Sequence, residues 1–469
     1  MGSIAPPPSS QKPDHYQIAI VGGGIAGLTL GLACAKLGIR YALFEARSNL
    51  APAEGMAIAL QDNGLRILDQ LGVYEEIARH TVPMQRWTHY DENGGLLCET
   101  NAFGYQRHKF GYGMLGIERH KLLEIMAGEL RRRRRGNDLI RLSCRVSTFQ
   151  EDEDKVTVTT ADGDVITADL LVGADGVRSS VRTFIDALQA GGHPSKSDEY
   201  MTTSFANVHG ISYPVDGIAE GDGITVYREG TSLLIYTGKG GMVYWHVFED
   251  LGETVGMSRG PRYYSGEAAD AFCRLVAHVP VAPGVLFGDV YARRTAYIRL
   301  ALETGIAETW HTARTVIIGD AAHKMVPHAA LGGNQAMESV ALLLNELLGS
   351  GSGSSSGRSG ALAIIPLPAL CERRCARTSK LRSMAEMTCR TQLSPHGEHT
   401  SATYRQLPGL TDADWLLKIT MSFLGAPALE GVPLTERGRF YDESLASFQE
   451  RFATQTYSNK AELVGLPTG

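Results

Sequence analysis

The sequence predicts an α/β fold: a Rossmann-like dinucleotide-binding domain, an inserted mostly antiparallel β-sheet domain and a C-terminal helical region. Three observations predict it. Residues 17–21 (QIAIV) form a short apolar run ending in a glycine-rich turn, with helical patterning over 28–37, a stop at Gly38 and a second strand over 40–44. Residues 202–209, 223–228, 233–237 and 242–248 alternate apolar and polar side chains, the period of strands with two unlike faces. After a Gly/Ser-rich stretch, residues 366–392 and 411–455 have helical patterning.

The bulk properties narrow the class. A chain of 469 residues exceeds one simple core, so two or three packed units with room for a large cofactor are expected. Its 43% hydrophobic and 20% charged content are those of a soluble globular protein, and a net charge of −6 gives no reason to expect nucleic acid. Arg131 to Arg135 form the one basic block. It follows a helix expected over 118–130, where cations suit the negative end of the helix dipole. Seven scattered cysteines, odd in number and without a CxxC pair, argue against a disulfide framework or zinc ribbon and for a reducing, cytoplasmic setting. Residues 1–15 are small, polar and Pro-rich, which predicts a disordered tail. No window approaches 20 consecutive apolar residues, so no transmembrane segment is expected, while peripheral membrane contact stays open.

Three strand-to-turn junctions carry the chemistry. In Gly22-Gly23-Gly24-Ile25-Ala26-Gly27, Gly22 allows the tight turn, Gly24 lets backbone approach a pyrophosphate and Gly27 lets helix and strand pack closely. The following helix offers free N–H groups and positive dipole to phosphates. Glu45 stands 18 residues beyond Gly27 at a strand end, where a carboxylate suits an unphosphorylated ribose, hence FAD or NAD. The second junction runs from Gly173-Ala174-Asp175-Gly176 into a helix; alone it also fits an ordinary turn with a helix cap. The third is Gly319-Asp320-Ala321-Ala322-His323 after a strand over 315–318. There Asp320 could accept from a ribitol hydroxyl, and a helix beginning near Gly332-Gly333-Asn334 could face a flavin's pyrimidine edge.

This ordered set resembles the group A FAD-dependent monooxygenases over roughly residues 16–345. Glu45-Ala46-Arg47, Glu118-Arg119-His120-Lys121-Leu122-Leu123 and His323-Lys324-Met325-Val326-Pro327 are similar to the fungal PaxM-type enzymes that epoxidise prenyl chains of indole diterpenes and meroterpenoids. The resemblance implies tightly bound FAD and NADPH or NADH as co-substrate. It implies Glu45 on the adenosine ribose, Arg119 and Ala59 near the FAD, Asp175 in a motif shared by FAD and NADPH contacts, Asp320 on the ribitol and Gly333 against the isoalloxazine. Tyr227, on an expected strand of the inserted sheet, is the candidate substrate-pocket and catalytic residue; a core tyrosine with a satisfied hydroxyl is the competing reading. The chain departs from the family where Ala330 and Leu331 replace a glycine and a glutamine beside the flavin.

The expected organisation is a tail (1–15), an FAD-binding domain (16–185 and 286–348), a substrate domain (186–285), a flexible loop (349–360) and a helical region (361–469). The function this implies is epoxidation of an alkene in a small, hydrophobic, prenylated precursor. The alternatives are ring hydroxylation of a phenol and flavin binding without turnover. With one GxGxxG of good context and no redox CxxC, a disulfide reductase is disfavoured. No metal is needed, and no HExxH occurs.

Overall fold

A computed structural model describes residues 14–53, 57–136, 138–189, 191, 196–260, 263–350 and 366–454. Most of the expected tail and most of the 349–360 loop lie outside the described residues; within them, Asp14 already bonds Thr167 and the first strand starts at His15.

The nucleotide-type sheet contains the strands expected near 17–21, 40–44 and 315–318, and further strands join them. Its neighbouring strands are Leu139–Arg141, Tyr41–Phe44, His15–Val21 and Val165–Gly173, with Thr315–Ile317 beyond, all parallel. Val156–Thr160 and Val146–Glu151 continue it antiparallel. His15–Val21 and Tyr41–Phe44 are almost wholly buried, as parallel strands covered by helices must be. The helix Ile25–Leu37 is apolar on every side and buries Ala26 through Ala35; Gly38, at φ 75°, takes the left-handed conformation that ends it. The arginine run closes the helix Arg119–Arg133, where Arg132 pairs with Glu129 at 2.7 Å and Arg134 Nε donates to Asp138 O at 2.9 Å.

The second sheet has eight strands, in the order His323–Lys324, Arg294–Ile306, Met201–Ser212, Val243–Gly256, Thr231–Thr237, Asp222–Val226, Arg86–Tyr90 and Leu96–Thr100. Only the Asp222–Val226/Arg86–Tyr90 pairing is parallel. The sheet therefore draws on more of the chain than residues 186–285: two strands precede that span, and Arg294–Ile306 follows it to pair along the whole of Met201–Ser212. Strand alternation gives the sheet two unlike faces. Val208, Leu233, Ile235, Trp245 and Val247 face an apolar cluster with Phe272, Val276, Phe287 and Val290. The residues between them, Asn207, His209, Leu234, Tyr236, His246 and Phe248, face a large cavity.

The C-terminal region is helical, with one difference from expectation. Residues 411–455 divide into Asp412–Phe423 and Glu436–Thr454, with Gly425 at φ 73° in the connection. The long helix Leu367–Leu393 buries Leu370, Arg374, Thr378, Leu381, Ala385 and Cys389, a stripe at three- and four-residue spacing. Arg374 is fastened to the helix Gly332–Ser350 through Glu338, which is fully buried. Glu338 accepts from Arg374 Nη1 at 2.9 Å, Arg377 Nε at 2.7 Å, Gln335 Nε2 at 2.9 Å and Asn63 Nδ2 at 2.6 Å. Removing one member of such a buried cluster leaves charge without a counter-ion, at a cost of about 3–5 kcal/mol. Glu338→Ala is therefore expected to lower unfolding free energy by about that amount in urea titrations, whereas Arg132→Ala, which removes an exposed guanidinium from its pair with Glu129, changes it by less than about 1 kcal/mol.

Candidate active site

Four parallel strands that are neighbours in the first sheet deliver their C-terminal ends side by side. Tyr41–Phe44 leads to Glu45, His15–Val21 to Gly22, Val165–Gly173 to Ala174, and Thr315–Ile317 to Gly319 and Asp320. This is the edge at which open α/β sheets bind ligands. The glycine turn is shaped by contact with the neighbouring strand. Gly22 has φ 105°, and a Cβ there would lie 2.5 Å from Ala174 O; a Cβ on Gly27 would lie 1.9 Å from Gly22 O. A Cβ on Gly24 would instead point into open space, in the wall of the cavity.

The cavity has a volume of about 770 Å³ and extends from this turn to the second sheet. Gly24, Ala59, Arg119, Asp320, Gly333 and Tyr227 all line it, although they come from five distant parts of the chain. Asp320 pairs with Lys324 Nζ at 2.7 Å. Gly333 opens the helix Gly332–Ser350 and passes so close to Ile58 that a Cβ would lie 2.8 Å from its Cδ1. Gly22, Gly27 and Glu45 stand behind the cavity as its support. Glu45 is buried, and its carboxylate accepts from Gly23 N at 2.7 Å and Arg47 N at 2.8 Å, so it fixes the glycine turn directly.

Asp175 differs from expectation. Its carboxylate accepts from Ser180 N at 2.7 Å and Val181 N at 3.2 Å, capping the helix Ser180–Gln189, while its neighbours Ala174 and Gly176 meet the cavity. The helix-cap reading of that junction is the one its side chain follows.

The changed loop is accommodated in a specific way. Ala329 and Ala330 lie at φ 64° and 55°, the left-handed region that glycine occupies without penalty. Asn334 holds the loop there: its Nδ2 donates to Ala330 O at 2.5 Å and Ala59 O at 3.2 Å, and its Oδ1 accepts from Gln61 N at 3.1 Å. Leu331 is buried in an apolar cluster with Met325, Val326 and Phe205.

Beyond the turn the cavity becomes an apolar chamber. One wall is the second sheet, with Leu234, Tyr236, Phe248, Leu300 and Leu302. The roof comes from the C-terminal helices, which supply Met384, Met387 and Gln392 from one and Trp415 and Ile419 from another. Sequence reasoning missed this roof; helical periodicity shows an apolar face without showing what it faces. Tyr227 is buried at the far end, its hydroxyl 3.1 Å from His89 Nδ1, and His89 stacks on Trp415 at 4.6 Å. Burial pushes His89 down to about 3, with Lys418 adding to the shift, so this imidazole is neutral at physiological pH. Burial raises the Tyr227 phenol far above its usual range.

A glycine-walled cleft at the carboxyl ends of parallel strands, opening into an apolar chamber, defines a dinucleotide-binding enzyme of the two-domain flavoprotein class. The comparisons agree. A family model described as "FAD binding domain" matches residues 15–262 and 266–358. FAD-dependent monooxygenase penE of Penicillium thymicola is 34% identical over 356 residues, 74% of each chain. FAD-dependent monooxygenase pyr5 of Aspergillus fumigatus is 37% identical over 339 residues, 71% of each chain. Among solved structures, Klebsiella pneumoniae HpxO complexed with FAD and uric acid superposes with TM-score 0.69 at 22% identity, covering 88% of this chain and 97% of that one. A salicylate hydroxylase substrate complex does so with TM-score 0.67 at 20% identity, covering 91% and 98%. The chain belongs to the FAD-dependent monooxygenase family.

Replacing Ala330 by glycine removes a left-handed alanine at the cost of a more flexible unfolded chain. The expected net gain is about 0.5–1 kcal/mol, read as a raised urea midpoint at unchanged slope.

Proposed function

We propose that this chain is a PaxM-type monooxygenase that uses NADPH or NADH and O2 to epoxidise an alkene in a prenylated, meroterpenoid-like precursor. The observation that carries the reading is the pairing of a backbone-lined cleft with an apolar chamber in one cavity of about 770 Å³. The cleft fits FAD. A Cβ at Gly24 or Gly332 would have open space around it, so the backbone at two helix starts borders room that a flavin nucleotide can fill. Gly24, Ala59, Arg119, Asp320 and Gly333 would hold it, with Gly22, Gly27 and Glu45 fixing the turn from behind and Asp175 fixing the adjoining helix. When bound, FAD supplies hydride acceptance from NAD(P)H and oxygen activation.

The protein's own tasks are binding, orientation and exclusion of water. The aliphatic and aromatic chamber would take up a prenyl chain. Its roof of Met384, Met387, Trp415 and Ile419 suits such a ligand, since unbranched methionines adapt to irregular apolar shapes. Tyr227, held by His89, would position the substrate's polar end. The helix start at Gly332-Gly333 would offer its positive dipole end to a bound flavin.

Family membership is compatible with ring hydroxylation, given the likeness in fold to a salicylate hydroxylase. The discriminating measurement is NADPH oxidation with prenylated and unprenylated phenols, with mass analysis of products. The proposed reading expects stimulation by the prenylated phenol and a product heavier by one oxygen on the alkene. Stimulation by simple phenols with ring oxygenation would replace it with hydroxylation, and no stimulation by any ligand would indicate flavin binding without turnover. Asp320→Ala is expected to purify with flavin absorbance lowered at least tenfold relative to protein; normal flavin content would remove Asp320 from its assigned role.

A further inference from the structure

The sheet wall of the chamber carries a polar group that the reading above does not use. Asn207 and His246 lie on the neighbouring antiparallel strands Met201–Ser212 and Val243–Gly256, where His209 pairs with His246 and Asn207 with Phe248. Both side chains line the cavity. Asn207 is 1% exposed, and its Nδ2 lies 3.0 Å from His246 Nδ1. The His246 ring is parallel to that of Phe248 with centroids 5.5 Å apart, and nearly parallel to that of Tyr236 at 6.1 Å. Aromatic neighbours thus set the ring plane, and Asn207 occupies Nδ1. Burial pushes His246 well below its ordinary range, with His209 and His328 adding to the shift. A neutral imidazole that accepts at Nδ1 carries its proton on Nε2, the nitrogen left to meet the cavity.

We propose that His246, oriented by Asn207, donates from Nε2 to a carbonyl or ether oxygen of the substrate, and that it thereby selects oxygenated prenylated compounds over their hydrocarbon counterparts. This rests on the chamber being the substrate site of the monooxygenase reading. The surrounding wall makes the donor selective. Leu234 stands opposite His246 on the next strand, and Phe248, Tyr236 and His209 are its ring neighbours at 5.5, 6.1 and 5.5 Å, so a ligand without an acceptor would cover a desolvated N–H and leave it unsatisfied. A site built this way discriminates by about tenfold or more in affinity. Asn207 acts as a positioning residue, since its effect on the ligand passes through the imidazole.

The test uses the full-length, FAD-loaded protein and two probes: a prenylated hydroxyacetophenone, and the prenylated ethylphenol that lacks its carbonyl. Binding is read from quenching of tryptophan fluorescence, since Trp87 and Trp415 line the chamber. The wild type is expected to bind the ketone about tenfold more tightly than the ethylphenol. His246→Gln places an amide nitrogen where Nε2 stands and should keep most of that preference. His246→Asn places its amide where Nδ1 stands, so it can still meet Asn207 yet offers nothing to the chamber. It should lose the preference, as should His246→Leu, and both should bind ethylphenol at least as tightly as the wild type, since no desolvated N–H remains for that ligand to cover. Asn207→Leu should weaken the preference as well. Equal binding of both probes by the wild type overturns the inference. So does a preference that survives in His246→Asn and disappears in His246→Gln, the order a purely structural Asn207–His246 contact would produce. Flavin absorbance of each variant reports folding independently. If the monooxygenase reading itself fails, NADPH consumption will be insensitive to ligand while the probe preference remains intact.

Discussion

The site depends on backbone meeting backbone where the first strand turns into the first helix. Gly22 passes so close to Ala174 that no side chain fits between them, and Gly27 packs as tightly on Gly22. These contacts bring the ends of the two central strands together. Because Tyr41–Phe44 and Thr315–Ile317 flank those strands, Glu45 and Asp320 arrive on either side without further adjustment. A cleft assembled by parallel register needs few side-chain interactions to hold its shape. Most of the bonding visible there, including both oxygens of Glu45, involves main-chain N–H groups.

That explains which parts of the site could be read from the sequence. The junctions at Gly22–Gly27 and Gly319–Asp320 were legible because the local backbone demands glycine, and a short apolar run before each marks a buried strand. Asp175 was legible both as a motif residue and as a helix cap, and its partners Ser180 and Val181 show the cap. The division of residues 411–455 into two helices had local signals in Gly425 and the prolines beyond it. The width of the second sheet had none. Arg86–Tyr90 joins Asp222–Val226 from 136 residues away in the chain, through a parallel pairing that alternation alone cannot specify. The chamber roof was hidden for the same reason.

The two sheets contribute in different ways. The parallel sheet offers an edge, and its chemistry lies in loops at strand ends. The antiparallel sheet offers a face, and its period of two sends Trp245 and Val247 into one core while His246 and Phe248 meet the chamber. One face can thus be altered for recognition while the other retains the packing that keeps the sheet folded.

The clamp formed by Glu338, Arg374 and Arg377 has a consequence for how this scaffold can diversify. It ties the roof helix to the helix that begins at Gly332 through one turn that lies about 10–15 Å along the axis from Met384. The fastening and the lining occupy different turns of one helix. New chamber shapes can therefore arise by exchanging residues after Leu381 while the helix that begins at Gly332 keeps its seat, so that the anchored and the variable parts of the fold lie on separate stretches of the same rod.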